Sequence, residues 1–178
     1  VELHSSYLTF FVGVLLTGLG SMYYHFQPSN QSLLWDRLPM TISFSAFFSA
    51  VVGEYISPRC AMTLFLPLLG VGIASVVYWH VSELNGNGDL RAYILVQFLP
   101  VLLIPLILVL YNTPLSGSHY IWGIIGVYAL SKLMEHFDAP LYTGLGFISG
   151  HTLKHVTASL GAWIFYRALQ ERQPLSSS

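Results

Sequence analysis

Charged side chains are scarce in this chain: Asp, Glu, Lys and Arg together make up 8% of its 178 residues, where an ordinary soluble domain carries roughly a quarter. With 54% of residues hydrophobic, too little polar surface remains for a water-soluble fold, and the bilayer is the expected solvent. A basic surface is also missing. The net charge is −1 and the 7 Lys and Arg residues are scattered, which excludes nucleic acid as a partner. Cys60 is the single cysteine, so no intrachain disulfide is possible and redox chemistry does not indicate a compartment. No cleavable signal is evident. Val1 rather than Met stands first, so the expected gene product begins earlier or has been processed or trimmed.

A membrane-crossing helix needs about 20 predominantly apolar residues, and six segments meet that need: 5–26, 38–56, 60–81, 90–111, 119–138 and 147–169. The breaks between them are short and marked by polar residues, Pro or Gly, as in Asn85-Gly86-Asn87-Gly88. None is long enough for a separate domain. The sequence therefore predicts an all-α fold, a polytopic transmembrane bundle of six helices forming one domain over residues 1–170. Residues 171–178 read as a polar C-terminal tail, expected to fray. Pro67, Pro100 and Pro105 lie within apolar runs, where neighbouring helices can satisfy the freed carbonyls, so kinks rather than helix ends are expected. Trp35, Trp79 and Trp122 fall where interfacial anchors usually sit. Lys and Arg divide almost evenly between the two membrane faces, so a multi-pass location is predicted but no orientation, and no particular membrane.

The polar residues within these segments carry the functional signal. His151-x-x-x-His155 places two imidazoles on one face of a helix, close enough to hold one metal ion. Alone, such a pair can equally cap, snorkel or hydrogen-bond a neighbouring helix. Alternation of six crossing helices adds a third histidine, because the first helix ends, and the second and sixth begin, at the same membrane face. Ser21, His25, Asp36, His151 and His155 then share one depth, although more than a hundred residues separate the two groups. Three His ligands with an open fourth position form a recurring catalytic zinc arrangement.

Asp36, read at or just before the first turn of the second helix, is either a helix-start carboxylate paired with Arg37 or a general base beside a metal. Ser21 is either a small packing residue next to Gly18 and Gly20 or a hydroxyl donor to developing oxyanion charge. Glu54, Glu83 and His80 fall near helix ends and read as solvated or snorkelled. His4 and His119 read as interfacial. Lys132, Glu135, His136 and Asp138 read chiefly as interfacial solvation, with support of the metal site as the alternative. Gly146 and Gly150 form a small-xxx-small pair suited to close helix approach.

Ser21-x-x-x-His25, then Asp36 in the context Trp35-Asp36-Arg37, then His151-x-x-x-His155 resembles the signature of the CREST superfamily of integral-membrane hydrolases. Within it the chain is most similar to the alkaline ceramidase branch and its bacterial ceramidase-like members, over essentially Gly20 to Tyr166. The resemblance implies a seven-helix hydrolase in which His25, His151 and His155 hold Zn2+, Asp36 activates the attacking water and Ser21 helps stabilise the tetrahedral intermediate. Two features depart from the pattern. The family's first helix is missing from this chain, and so are the acidic and asparagine residues with which animal ceramidases bind calcium, so no calcium site is carried over.

The expected function is that of a zinc-dependent membrane amidase hydrolysing a long-chain lipid amide, such as ceramide, to a sphingoid base and a fatty acid. Its partner is a membrane lipid substrate. Two alternatives stand beside it: a receptor-like protein of the same superfamily with a structural zinc site, and a proton or ion transporter that uses the intramembrane His, Glu and Asp residues as a relay. Against the transporter, the half of the bundle away from the histidines reads as nearly bare of polar groups.

Overall fold

The computed structural model describes residues 3–175. Among them the fold is all-helical, with one isolated bridge between Leu115 and Pro174 and no strand. Seven helices are present: α1 (His4–Phe26), α2 (Asn30–Tyr55), α3 (Pro58–Leu84), α4 (Arg91–Leu110), α5 (His119–His136), α6 (Asp138–Leu145) and α7 (Gly150–Glu171). The expected count of six is corrected by α6, which occupies what reads in the sequence as a break. The chain divides into two compact units, Val1–Thr113 with α1 to α4 and Pro114–Ser178 with α5 to α7.

Three helices, α1, α3 and α4, are long and apolar enough to cross a membrane by length and composition. Their outer faces carry large apolar side chains: Leu15, Leu66 and Leu102 are 65%, 72% and 71% exposed. α2 and α7 are as long, but α2 carries Asp36, Arg37 and Glu54 and α7 carries Lys154, Arg167 and Glu171, which dilute the apolar run. The helices continue through Pro67, Pro100 and Pro105, as expected.

In the first unit α2 is the central helix, with α1 and α3 antiparallel to it. Ser6 meets Ser49 across α1 and α2 at 3.2 Å, and Ser45 donates to the carbonyl of Leu68 on α3 at 3.1 Å. Small buried residues, Ser45, Ala46, Ser49, Ala50 and Gly53, let these backbones approach closely. α2 starts at Asn30, eight residues before the apolar pattern does, because Ser29 and Ser32 form a reciprocal capping box. Asp36 therefore lies in the second turn of α2, not at or before its first.

Pro39, inside α2, leaves the Trp35 carbonyl without its intrahelical N–H. Gly20 of α1 packs directly against that carbonyl, with no room for a side chain: a Cβ there would also sit 3.1 Å from the Asp36 Cα. Gly18, two residues away, meets nothing within 4 Å.

Two sequence readings are corrected in this unit. Glu54 is buried and accepts a hydrogen bond from the Tyr7 hydroxyl at 2.8 Å, because the close α1–α2 packing covers it. Trp79 is buried rather than interfacial; its ring lies under the Arg37 guanidinium at 4.1 Å, with Tyr93 at 5.3 Å.

The second unit is an antiparallel hairpin of α5 and α7 with α6 between them in sequence. Tyr120 bonds Glu171 at one end, Gly161 faces Val127 near the middle, and Ser131 donates to the Lys154 carbonyl at 3.2 Å toward the other. Gly146 is not part of α7: at φ 75° it is the left-handed cap that ends α6. The expected fraying does not hold for residues 172–175. Arg172 Nε donates to the Ser116 carbonyl at 2.8 Å, Ser116 N–H to Gln173 and Leu175 N–H to Pro114. Residues 176–178 of that tail lie outside the described residues.

The two glycines of α1 provide a paired test. Gly20→Ala forces the α1 and α2 backbones apart and is expected to destabilise the first unit by about 1–3 kcal/mol, the usual cost of overpacking. Gly18→Ala meets open space and should be neutral or stabilising by up to about 1 kcal/mol through helix propensity. Thermal unfolding of both variants in detergent checks the pair; equal effects would contradict the packing described.

Candidate metal centre

Ser149 begins α7 as its N-cap, its hydroxyl accepting the Thr152 N–H at 3.1 Å. The next orphan donor, the His151 N–H, is taken by Asp138 Oδ1 at 2.7 Å. A carboxylate at that position also complements the positive end of the helix dipole. Gly150 makes the contact possible. It is buried against the Met134 carbonyl, and a Cβ there would lie 2.7 Å from the Asp138 Cα.

On this fixed first turn, His151 and His155 turn their rings toward each other. The two Nε2 atoms are 3.1 Å apart and the ring centroids 4.8 Å, at an interplanar angle of 73°. Two arrangements satisfy that distance. One is a proton shared between opposite tautomers. The other is a metal ion: bonds of about 2.0–2.1 Å to both nitrogens would subtend about 98°, near the tetrahedral value. The donor geometry therefore fits a metal, and imidazole donors suit zinc, copper, iron and nickel alike.

The first unit contains the other residues singled out from the sequence. Ser21 is buried in α1, immediately after the Gly20 contact that brings α1 against Trp35 and Asp36. His25 follows one turn later on the same helix, exposed in the last turn, its ring 5.4 Å from that of Tyr24. Asp36 is half-buried in α2. The structure thus brings His151 and His155 together within one unit and sets Ser21 at the level of Asp36 within the other. Among the other histidines, His136 packs edge-on against Phe137, His119 lies against Tyr120 and His80 beside Trp79.

Among the charged groups around the end of α5, Glu135 and Asp138 reach α7. Glu135 bridges Lys132 at 2.8 Å and Lys154 at 3.1 Å, and Asp138 holds the His151 backbone. His136 is exposed. Nothing local in the sequence marks Asp138 for this contact, because it forms only when α6 carries the chain back toward the end of α5.

Comparisons with protein-family models, with curated proteins and with solved structures return no match.

Glu135 ties α7 through a side chain and not through a histidine. Its two ion pairs are each partly exposed, so Glu135→Gln is expected to cost no more than about 1 kcal/mol and to leave metal content unchanged. Elemental analysis beside thermal unfolding checks this, and a large loss of metal would place Glu135 in support of the centre.

Proposed function

We propose that this chain is an integral-membrane, metal-dependent amidase acting on a long-chain lipid amide such as a ceramide. The observation that carries the reading is the convergence of the His151 and His155 Nε2 atoms at 3.1 Å on a capped helix start. Helices α2, α5 and α7 cross the bilayer together with α1, α3 and α4. α6 does not, since eight residues span about 12 Å against a hydrocarbon core of about 30 Å. The chain therefore returns to the face at which α5 ends, and the alternation read from six crossings is unchanged by the seventh helix.

In this reading His25 completes a three-histidine set with His151 and His155, and the metal is Zn2+. Bound there, zinc would lower the pKa of a water from 15.7 toward about 7 and polarise the amide carbonyl. Asp36 accepts the proton of the attacking water and returns it to the leaving amine. The Ser21 hydroxyl donates to the carbonyl oxygen as negative charge builds on it. A site near one membrane face suits an amide held at the interface while its acyl chains remain among apolar helices. The resemblance to the alkaline ceramidases supplies the substrate class, with release of a fatty acid and a sphingoid base.

One observation favours a second reading. The half of α2 away from Asp36 is not bare: Glu54 is buried with Tyr7, near the Ser6–Ser49 pair, and a buried carboxylate in a membrane helix is a feature of ion and proton pathways. Glu54→Gln separates the two, because it should spare amide hydrolysis and would abolish transport.

Zinc content measured beside hydrolysis of a defined ceramide tests the assignment in purified protein. His25→Ala, His151→Ala and His155→Ala should lose metal and activity together. Asp36→Asn should keep zinc and lose about 100-fold or more in rate, and Ser21→Ala should keep zinc and lose about 100 to 1,000-fold. Activity should also fall as pH drops, since the ligands must be neutral imidazoles. Histidine variants that hydrolyse normally, or a rate that peaks at acid pH, would overturn the mechanism.

A further inference from the structure

The imidazoles of His151 and His155 are i,i+4 neighbours, so their mutual geometry comes from the helix, but the direction in which both point comes from what fixes the start of α7. That start is held by an unusual combination. Gly150 is pressed against the Met134 carbonyl and the Asp138 Cα, and Asp138 Oδ1 accepts the His151 N–H at 2.7 Å. The hydrogen bond is charge-assisted and attaches to the backbone of a histidine ligand itself, so it fixes the turn from which that ring projects. Ser149 caps the adjacent N–H through Thr152. Other polar ties between α5 and α7 attach elsewhere: Ser131 to the Lys154 carbonyl, Glu135 to the Lys154 ammonium, Tyr120 to Glu171.

We infer that Asp138 is a positioning residue for the metal centre: its carboxylate sets the rotation of α7 at His151 and so the direction in which the two Nε2 atoms are presented. This rests on the proposal that His151 and His155 bind metal, and it adds a residue that the resemblance does not supply. Asp138 touches neither metal nor substrate in this role. Its contribution is affinity and coordination geometry, and turnover follows from them.

The side chain divides the prediction cleanly. Asp138→Ala removes the acceptor, and Asp138→Asn retains an amide oxygen that can accept the same N–H without the charge. Full-length protein in detergent is stripped of metal and titrated with Zn2+ against a competing chelator, then loaded with Co2+ for its visible spectrum. Asp138→Ala should weaken Zn2+ binding by about 10-fold or more, in the range usual for residues that orient ligands. Its Co2+ spectrum should also lose the intensity of a tetrahedral site. Asp138→Asn should recover most of the affinity and the spectrum. Glu135→Gln cuts a tie in the same hairpin and serves as the reference for general loosening; it should bind as the parent does.

Equal losses in Asp138→Ala and Glu135→Gln, or failure of Asp138→Asn to recover, would reduce Asp138 to an ordinary helix tie and overturn the inference. His151→Ala and His155→Ala report separately on the reading beneath it. If they retain metal, the metal centre is misassigned. If they lose it while Asp138→Ala binds normally, only the positioning role fails. Should Asp138→Ala not fold, as judged by circular dichroism, Asp138→Asn decides: parental affinity and spectrum support the role, and a tenfold loss in a folded Asp138→Asn protein overturns the claim that the acceptor suffices.

Discussion

Close backbone contact at two glycines is the constraint on which the placement of polar groups in this protein depends. Helices surrounded by apolar material gain little from burying more of it, so they associate where small residues let backbones and hydrogen-bonding groups meet. At Gly20, α1 comes against the Trp35 carbonyl that Pro39 has left without a donor, and this fixes Ser21 and His25 in register with Asp36. At Gly150, α7 comes against Met134 and Asp138, and this fixes His151 and His155. In each unit the residues proposed for chemistry lie within about one or two turns of the glycine that permits the contact. A Cβ at either position would displace backbone, not a flexible side-chain end, so the local geometry tolerates no larger residue without moving the polar groups beside it.

Long apolar runs made the helical class legible, because a run of that length bounded by Pro, Gly and polar residues has few alternatives. The spacing of His151 and His155 was equally legible, since a helix brings i and i+4 together wherever it lies. Boundaries were less so. α2 starts at Asn30 because two serines satisfy each other's backbone donors, a contribution invisible to hydropathy and strong enough to carry a helix across Asp36 and Arg37. α6 escaped notice for the opposite reason. Its eight residues include Pro140 and Gly144, which read as punctuation, although the helix tolerates Pro in its first turn and ends on Gly146 as a left-handed cap.

Burial was the least legible property of all, and the misread residues share a cause. Glu54 and Trp79 lie near helix ends, where solvation or interfacial anchoring is the ordinary expectation. Both are covered instead, Glu54 by the Tyr7 hydroxyl and Trp79 by the Arg37 guanidinium and a cluster to which Tyr93, Leu34 and Leu38 contribute. What covers them comes from other helices, so no pattern along their own helix reports it. Asp138 belongs with them: its acceptor role exists only once α6 folds the chain back.

These placements bear on how a chain so poor in charge could carry the hydrolytic chemistry proposed for it. A polar group away from water is costly unless it is bonded, and three carboxylates here are each held by a short, specific contact. Glu135 lies between two lysines, Asp138 on a helix N-terminus, Glu54 on a tyrosine. The two imidazoles of α7 differ from this pattern. Their Nε2 atoms face each other at a distance that one shared proton or one metal ion can satisfy. A shared proton would require the pair to keep opposite tautomers. A metal ion removes that requirement, needs both rings neutral and both Nε2 lone pairs inward, and rewards the rigidity that Gly150, Ser149 and Asp138 impose on the helix start. A coordination site would gain from a helix start held in this way, because a ligand free to move loses affinity for each orientation it must give up.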